Sequence, residues 1–340
     1  MSENTCCSAS GACCAEPVIR SVSPVLSGKD VLGGWKARWG IGRMDYAVEP
    51  GLYALGKPDG DAPVLVSANY KMTFDILRKN LAGLDCWLLI LDTHGVNVWC
   101  AAGKGTFGTD ELVRRLEAVG LAKIVRHRKL ILPQLGAPGV SAPEVARRAG
   151  FSVIYGPARA SDIQAFILAD CKATEQMRRV KFNFWDRLVL TPMELVEAAK
   201  VSLVVFGVLF LINLLAARSF GREDFFVYTA AVLCGALLAP AFLPIIPGKA
   251  FAFKGWLVAV IATAGIVGAY GWFSPPFLLL GIGYMLALPA HSAFLTMNFT
   301  GASTYTSPSG VQKEMKIALP LIIPALLAGV IMILIYCFTA

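Results

Sequence analysis

Hydrophobic and polar positions divide the chain into two parts of different character. Between residues 63 and 170, short apolar runs alternate with segments whose apolar residues recur at helical spacing. Cys86–Leu91 is a continuous apolar run, which is typical of a strand buried on both faces of a sheet. From residue 201 onward, long apolar segments replace this alternation. The pattern predicts an α/β domain followed by an all-α region.

The alternating part predicts a mainly parallel, Rossmann-like sheet with helices on both faces and right-handed crossovers. Strands are expected at residues 63–67, 86–91, 121–125, 129–132 and 152–155. Helices are expected over 73–81, from a Thr109 cap to Gly120, from Ser141 to Gly150, and from Ser161 onward. Gly120 and Gly150 suit the left-handed position that commonly follows a helix.

The segments that flank this domain have their own composition. Residues 1–30 are rich in Ser, Ala, Gly and Cys without periodicity, so a mobile tail is expected there. The α/β domain is placed at 31–171, and its first part, 31–60, holds many Gly and Pro residues that predict an irregular wrapping segment or lid. Residues 172–200 are polar and basic with three aromatics, as in a neck close to a membrane surface.

The C-terminal part, 201–340, predicts a membrane domain of five transmembrane helices, because roughly 20 apolar residues span a bilayer. The segments lie at about 201–217, 225–246, 256–273, 276–299 and 317–338. Four lysines would share the side of the α/β domain: Lys249, Lys254, Lys313 and Lys316. The positive-inside rule then predicts an inner-membrane protein with its N-terminal domain in the cytoplasm. Because the segments carry almost no ionisable groups, a pump or proton-coupled transporter is disfavoured.

Composition and charge agree with this division. Only 16% of the 340 residues are charged, whereas a soluble protein has about 25%. Residues 200–340 hold 7 Lys and Arg and 3 Asp and Glu, and residues 1–199 hold the remaining 24 and 20. No basic run with interleaved aromatics is present, so nucleic acid is not an expected partner. The nine cysteines are irregularly spaced and the N-terminus lacks an apolar signal segment, so a reducing cytoplasm is expected for the first part.

The segment that carries chemistry directly follows the strongest predicted strand, where open α/β sheets bind their ligands. Asn97 is a good helix N-cap, and a short helix over 98–102 would end at Gly103 and Gly105. Cys100 would then stand at the third helical position, where free N–H groups and the helix dipole favour a thiolate, the form that ligates metals. The small residues Ala101 and Ala102 would let the backbone approach a flat macrocycle, with the apolar face of Trp99 beside it.

Alternatives remain open from these residues alone. Cys100 could be a buried structural cysteine in a tight turn, or the nucleophile of a thiol enzyme. A phosphate-binding loop is excluded because Val98 stands where that motif requires glycine. Asp92 and His94 begin the cobalamin signature Asp-x-His-x-x-Gly, but Asn97 replaces its glycine, so His94 is expected to be a locally hydrogen-bonded loop residue.

The eight-residue string Asn97-Val98-Trp99-Cys100-Ala101-Ala102-Gly103-Lys104 resembles the signature of the mercury-methylating corrinoid proteins (HgcA). An α/β domain followed by five spans agrees with that family, and the resemblance covers most of the chain from about residue 35. The domain also resembles the corrinoid-binding domain of the corrinoid iron–sulfur protein, with similar segments at Gln134–Val140 and Ser309–Met315. The chain departs from these families in having no four-cysteine cluster motif in its folded part and in its N-terminal cysteines: Cys6, Cys7, Cys13 and Cys14.

The resemblance implies a corrinoid cofactor (cobalamin or methylcobalamin) with Cys100 as catalytic residue and lower axial cobalt ligand. The cofactor-binding residues would be Thr93, Asn97, Val98, Trp99, Cys100, Ala101, Ala102, Gly103 and Lys104. The implied activity is a methyltransferase that passes a cobalt-bound methyl group, as a carbanion or radical, to Hg(II). The implied partners are a ferredoxin-like protein with two [4Fe–4S] clusters, a methyl-donor methyltransferase linked to methyltetrahydrofolate, and membrane lipid.

Other functions fit the same residues. The chain could be a membrane protein that only binds or transports cobalamin, or a methyl carrier with another acceptor. The paired thiols of the N-terminal tail could bind the soft ion Hg(II), or they could be incidental. The remaining cysteines are expected to be structural: Cys86, Cys171, Cys234 and Cys337.

Overall fold

The computed structural model describes residues 18–215 and 220–339 and divides the chain into two compact units. The first unit comprises the residues up to Ala37 together with Gly42–Val180, and the second comprises Arg38–Ile41 and Lys181–Ala340. The four cysteines of the predicted tail lie outside the described residues.

The first unit contains one six-stranded sheet, in the order β1-β2-β4-β3-β5-β6. Its strands are β1 Ile19–Val22, β2 Gly51–Leu55, β3 Val64–Ala68, β4 Cys86–Leu91, β5 Lys129–Leu132 and β6 Ser152–Tyr155. Every neighbouring pair is parallel except β2 with β4, which is antiparallel. The predicted, mainly parallel α/β sheet is therefore confirmed, with one antiparallel pair that the strand pattern did not indicate.

Helices cover both faces of this sheet, as predicted. They are α1 Gly28–Arg38, α2 Lys71–Asn80, α3 Val98–Lys104, α4 Thr109–Ala118, α5 Leu121–Ile124, α6 Ala142–Ala149, α7 Ile163–Leu168 and α8 Glu175–Arg178. One hydrophobic core holds Phe107 and Phe151, and the other holds Phe74 and Phe166. Burying a side chain of this size stabilises the fold by about 1.5–3 kcal/mol, so the two cores fix the sheet between its helices.

The structure differs from the sequence-based prediction in three places. Residues 121–125, predicted as a strand, instead form α5, because Leu121 and Val125 bury one helical face while β3 already pairs directly with β5. The N-cap of α4 is Gly108 rather than Thr109, whose hydroxyl accepts the N–H of Ser141 at 2.9 Å. Residues 18–38, predicted as tail and irregular segment, contain β1 and α1.

A buried ionic cluster holds α1 against α2. Asp30 accepts hydrogen bonds from Lys71 at 2.6 Å and Arg78 at 2.8 Å, and both cations also contact Asp75. Burial by itself would raise the pKa of Asp30, but the hydrogen bonds from Lys71, Ser27 and Arg78 outweigh it and hold that pKa well below its usual range. The cluster accounts for order in a segment whose composition predicted none.

The second unit is helical. Its elements are α9 Phe184–Leu188, α10 Thr191–Ile212, α11 Arg222–Leu233, a π-helical turn Cys234–Leu238, α12 Ala239–Ala241, α13 Phe251–Ala269, α14 Leu278–Asn298 and α15 Pro308–Thr339. Five helical stretches of the described residues are long and apolar enough to cross a bilayer. The first of them begins within the predicted neck, because α10 starts at Thr191. Their position in a membrane remains a prediction.

Small residues let the helices of this unit approach closely. Ser292 of α14 donates its hydroxyl to the carbonyl of Gly255 in α13 at 2.9 Å, and Thr296 donates to the carbonyl of Gly235 at 2.9 Å. A Cβ at Gly255 would lie 2.8 Å from the Ser292 carbonyl oxygen. Small residues at a helix interface let the two backbones approach closely in this way.

We expect the Asp30→Asn substitution to lower the free energy of unfolding of the first unit by about 1–3 kcal/mol at pH 7, because it removes a charged partner of Lys71 and Arg78. A carboxylate whose pKa is lowered by folding stabilises above its unfolded pKa, near 3.8, and this contribution is lost as the pH falls through the folded value. Urea unfolding of the full-length chain, followed by tryptophan fluorescence, should therefore show a constant difference between the two proteins from pH 7 to about pH 4, and the difference should begin to narrow towards pH 3.

Asp61→Asn is the matched control, because Asp61 pairs with Arg126 at the surface and solvent screens that pair. It should change the unfolding free energy little at any pH. Equal losses in both variants at pH 7 would show that the Asp30 cluster does not stabilise the unit.

Candidate functional site

The site begins where β4 leaves the sheet. All six residues of β4 are buried, and the chain then turns through the left-handed backbone of His94 and Gly95. The side-chain oxygen of Asn69 accepts the N–H groups of Thr93 at 3.1 Å and Gly95 at 3.0 Å. Polar backbone groups that leave a buried strand must find partners, and one amide side chain supplies them here.

Sequence reasoning missed Asn69. It directly follows β3, the parallel neighbour of β4, so both polar positions lie at the same edge of the sheet. A polar residue immediately after the apolar run 64–68 was the signal that could have identified it. A second contact, from the N–H of Asp92 to Glu111 at 2.9 Å, fixes the beginning of the loop to α4.

Thr93 supports the loop from inside. It is fully buried, and its hydroxyl lies 2.8 Å from Asn69 Oδ1 and 2.6 Å from the carbonyl oxygen of Val96. The structure therefore gives it internal partners, and its predicted contact with a cofactor stays a prediction. His94 has a 76% exposed side chain whose Nδ1 lies 3.4 Å from Asp92 Oδ1, so it interacts within the loop.

The predicted short helix is present as α3. The side chain of Asn97 caps it by accepting the N–H of Cys100 at 2.9 Å, which places Cys100 at the third helical position as expected. The helix continues to Lys104 and ends at Gly105 in the left-handed conformation. Gly103 is thus part of the helix and does not terminate it, because Gly105 alone provides the helix end.

The helix has one buried and one open face. Val98, Ala101 and Ala102 are buried against the domain, whereas Trp99, Cys100, Gly103 and Lys104 are exposed. A Cβ added at Gly103 would meet no atom within 4 Å. The interpretation of Cys100 as a buried structural cysteine is wrong, since its thiol lies on the open face.

A glycine-containing segment supports the helix from beneath. A Cβ at Gly139 would lie 2.1 Å from the carbonyl oxygen of Phe107 and 3.1 Å from the Cα of Ala102. At Gly136 it would lie 2.5 Å from the Phe107 ring. The turn that contains them, in the segment Gln134–Val140, therefore touches α3 and its C-terminal loop at distances that only glycine permits, which holds the helix in one position.

An apolar cleft of about 340 Å³ opens beside α3. Its walls come from α2, from the ends of β3, β5 and β6, and from the first residues of α3, and they include Leu77, Ile131, Pro133, Pro157 and Trp99. This is the carboxyl edge of parallel strands, where α/β sheets bind ligands. A corrinoid is larger than the ligands that such a volume encloses, so it would occupy the cleft only in part.

The other described cysteines are buried or partly buried, unlike Cys100. Burial, with a smaller contribution from Asp85, raises the pKa of the Cys86 thiol to about 12, and burial followed by Asp170 raises that of Cys171. Cys234 and Cys337 are buried in the second unit. Among residues 18–215 and 220–339, Cys100 is the exposed thiol.

A metal at Cys100 would need ligands from outside the protein. Within the described ranges, no group of three or more His, Cys, Asp and Glu side chains could hold a metal ion. A corrinoid would bring the other ligands of its cobalt and would need one donor atom from the protein. A single exposed thiol beside an apolar cleft could provide that atom. The open face of α3 could therefore accommodate such a cofactor, and Cys100 is the residue that would provide the donor.

Comparisons with known proteins bear on the first unit. The family described as CO dehydrogenase/acetyl-CoA synthase delta subunit matches residues 41–167, from the end of α1 to α7. The gamma subunit of the acetyl-CoA decarbonylase/synthase complex of Methanopyrus kandleri is 34% identical over 127 residues, which are 37% of this chain and 27% of that protein. The gamma subunit of Methanocaldococcus jannaschii is 32% identical over 130 residues, 37% of this chain and 26% of that protein.

The chain spans about a quarter of the length of these curated relatives. They belong to the corrinoid iron–sulfur proteins, which bind a corrinoid, so the predicted cofactor class is confirmed for the homologues of this domain. The match ends at residue 167, and the five apolar helices lie beyond it. The comparisons therefore bear on the α/β domain and leave the helical unit unmatched.

We expect Gly139→Ala to destabilise the first unit by about 1–3 kcal/mol, because the new methyl group would overlap the backbone at Phe107 and shift α3. Gly34→Ala is its control: a Cβ there meets nothing within 4 Å, and alanine favours the helix α1 by about 0.5–1 kcal/mol. Urea unfolding of the two full-length variants measures both effects. A Gly139 variant as stable as wild type would show that the segment Gln134–Val140 can shift to accommodate the added methyl group.

Proposed function

We propose that this protein is a membrane-anchored, corrinoid-dependent methyltransferase that transfers a methyl group to Hg(II). The observation that carries the proposal is the exposed Cys100 thiol on a helix that the Asn97 cap and the Gly139 contact hold beside an apolar cleft. The eight-residue string around Cys100 resembles the mercury-methylating family, and the corrinoid-binding homologues support the cofactor class.

Each residue of α3 has a role in this proposal. Cys100 would bind the cobalt from the lower face, Trp99 would offer an apolar surface beside the ring, and Gly103 would leave room for close approach. A bound corrinoid would supply the cobalt centre that carries the methyl group. The Cys100 sulfur, once bound to the cobalt, would donate electron density to it, which would favour delivery of the methyl group to an electrophile such as Hg(II).

The helical unit would anchor this domain at the inner membrane. Its five apolar stretches have the required length, and the basic residues of the intervening loops favour a cytoplasmic first unit. A ferredoxin-like partner with two [4Fe–4S] clusters would return the cofactor to its reduced state. A methyl-donor methyltransferase linked to methyltetrahydrofolate would reload it.

A methyl carrier with another acceptor is the second candidate. The similarity to gamma subunits of an acetyl-CoA decarbonylase/synthase complex favours it, because that similarity covers the domain that carries Cys100. A protein that only binds or transports cobalamin would share the cofactor but transfer no methyl group. These functions share the cofactor and differ in the methyl acceptor, so a test of the acceptor is needed to distinguish them.

We expect the full-length protein, purified in detergent and loaded with methylcobalamin, to show visible bands shifted from those of the free cofactor. Cys100→Ala should lose that shift, because the axial sulfur is gone, whereas Cys100→His should retain the cofactor with a different spectrum. Cys171→Ala, which removes a partly buried thiol elsewhere in the domain, should match wild type. Identical bands in wild type and Cys100→Ala would remove the ligand role of Cys100.

The second test identifies the acceptor. Mixing the methylcobalamin-loaded protein with Hg(II) should produce methylmercury, measured by mass spectrometry, and Cys100→Ala should reduce the rate by about 100-fold or more, since even indirect supports of a metal ligand contribute 10–100-fold. A loaded protein with shifted bands that methylates a thiol acceptor but not Hg(II) would favour the methyl-carrier candidate. Loaded protein inert towards both acceptors would favour binding or transport.

A further inference from the structure

The helical unit contains a groove unrelated to Cys100. A cavity of about 690 Å³ lies among α13, α14 and α15. Small side chains form its floor, because alanines occupy positions where larger residues would fill the space: Ala252, Ala290, Ala293, Ala318 and Ala325. Most of its lining is apolar, as expected for a site that takes a hydrocarbon chain.

One end of the groove is positively charged. Lys249, just before α13, and Lys313, near the start of α15, both line it and are exposed. The carboxylate of the neighbouring Glu314 accepts the N–H of Ala252 at 2.7 Å, at the positive end of the α13 helix dipole. Within the described ranges, neither Lys249 nor Lys313 forms an ion pair, so both charges are available to a ligand.

The groove has the dimensions of one leaflet. From Lys313 to Ala325, α15 rises about 18 Å, and half of a bilayer's hydrocarbon core is about 15 Å. Trp256 and Leu321 border the groove with 42% and 69% of their surfaces exposed. Tryptophan beside lysine is the combination that membrane interfaces favour.

We propose that this groove binds one anionic phospholipid, with its phosphate at Lys249 and Lys313 and an acyl chain along the alanine-lined floor. Lys249, Lys313 and Glu314 together give this end of the groove a net charge of +1, which a singly charged anionic lipid matches and a zwitterionic lipid does not. A free phosphate would leave the apolar length of the groove unused. The inference rests on the proposed membrane location of the helical unit and is independent of the methyl acceptor.

The experiment uses the full-length protein in nanodiscs of equal parts phosphatidylglycerol and phosphatidylcholine. Native mass spectrometry then counts the lipids that remain bound. Wild type should retain one phosphatidylglycerol per chain in preference to phosphatidylcholine. Each basic residue near a membrane surface contributes about a fivefold preference for anionic lipid, so Lys249→Gln with Lys313→Gln should lower the ratio by about 30-fold.

Two matched controls separate the site from general surface charge and from misfolding. Lys316→Gln removes an exposed lysine one turn along α15 that does not line the groove, and it should leave the ratio unchanged. Ala325→Trp should fill the groove and abolish lipid retention, whereas Ala328→Trp, on the exposed side of the same helix, should not. Circular dichroism confirms that each variant keeps its helix content.

Three outcomes would overturn the proposal: no preference for phosphatidylglycerol in wild type, an equal loss with Lys316→Gln, or unchanged retention in folded Ala325→Trp. Because the readout is bound lipid, failure of the methyltransferase proposal leaves it unaffected. A chain that does not insert in nanodiscs would contradict both the membrane location and the lipid site, while the spectrum of the loaded protein would still report on Cys100.

Discussion

The candidate site depends on hydrogen-bond partners for the backbone polar groups that follow β4. This strand is buried on both faces, so the residues after Leu91 must turn out of the sheet with every N–H and C=O partnered or solvated. Asn69 satisfies the N–H groups of Thr93 and Gly95, and Asn97 satisfies that of Cys100. Two asparagine amides thereby position the loop and the helix that carry the candidate chemistry.

This arrangement exposes a thiol on a rigid support. The buried face of α3 joins the hydrophobic core, and the glycines beneath it leave no room for the helix to move inward. Its outward face presents Cys100 between Trp99 and Gly103, beside the cleft at the strand ends. As a metal ligand, a single thiol would suffice only if the remaining ligands came with the metal, so the site would suit a corrinoid better than a bare ion.

The helical unit follows a different physical rule. In the proposed membrane location, where no aqueous hydrophobic effect drives helices together, its helices would associate through close contacts of Gly, Ser and Thr, as between Gly255 and Ser292. Where alanines face one another without such a contact, space remains, and the groove among α13, α14 and α15 results. Close contact and open groove thus arise from the same small residues, and the lysines at one end give the groove its chemical selectivity.

Features that depend on a local pattern could be read from the amino-acid sequence alone. The continuous apolar run predicted β4, Asn97 predicted the cap that places Cys100 at the third helical position, and long apolar segments predicted the five helices. These were readable because each is encoded within a few consecutive residues. The order within residues 18–38 was not readable, since it depends on ion pairs from Asp30 to α2, more than forty residues away.

Contacts between residues that are far apart in the chain could be seen in the folded domain and not in any local pattern. Asn69 lies 24 residues before Thr93, and its role exists only because β3 and β4 are neighbours in the sheet. The same holds for Gly139 beneath Ala102 and for the antiparallel pairing of β2 with β4. Residues 121–124 are helical, and β3 pairs directly with β5, so no strand lies between them. Strand order and close packing are properties of the whole domain, so no local pattern could specify them.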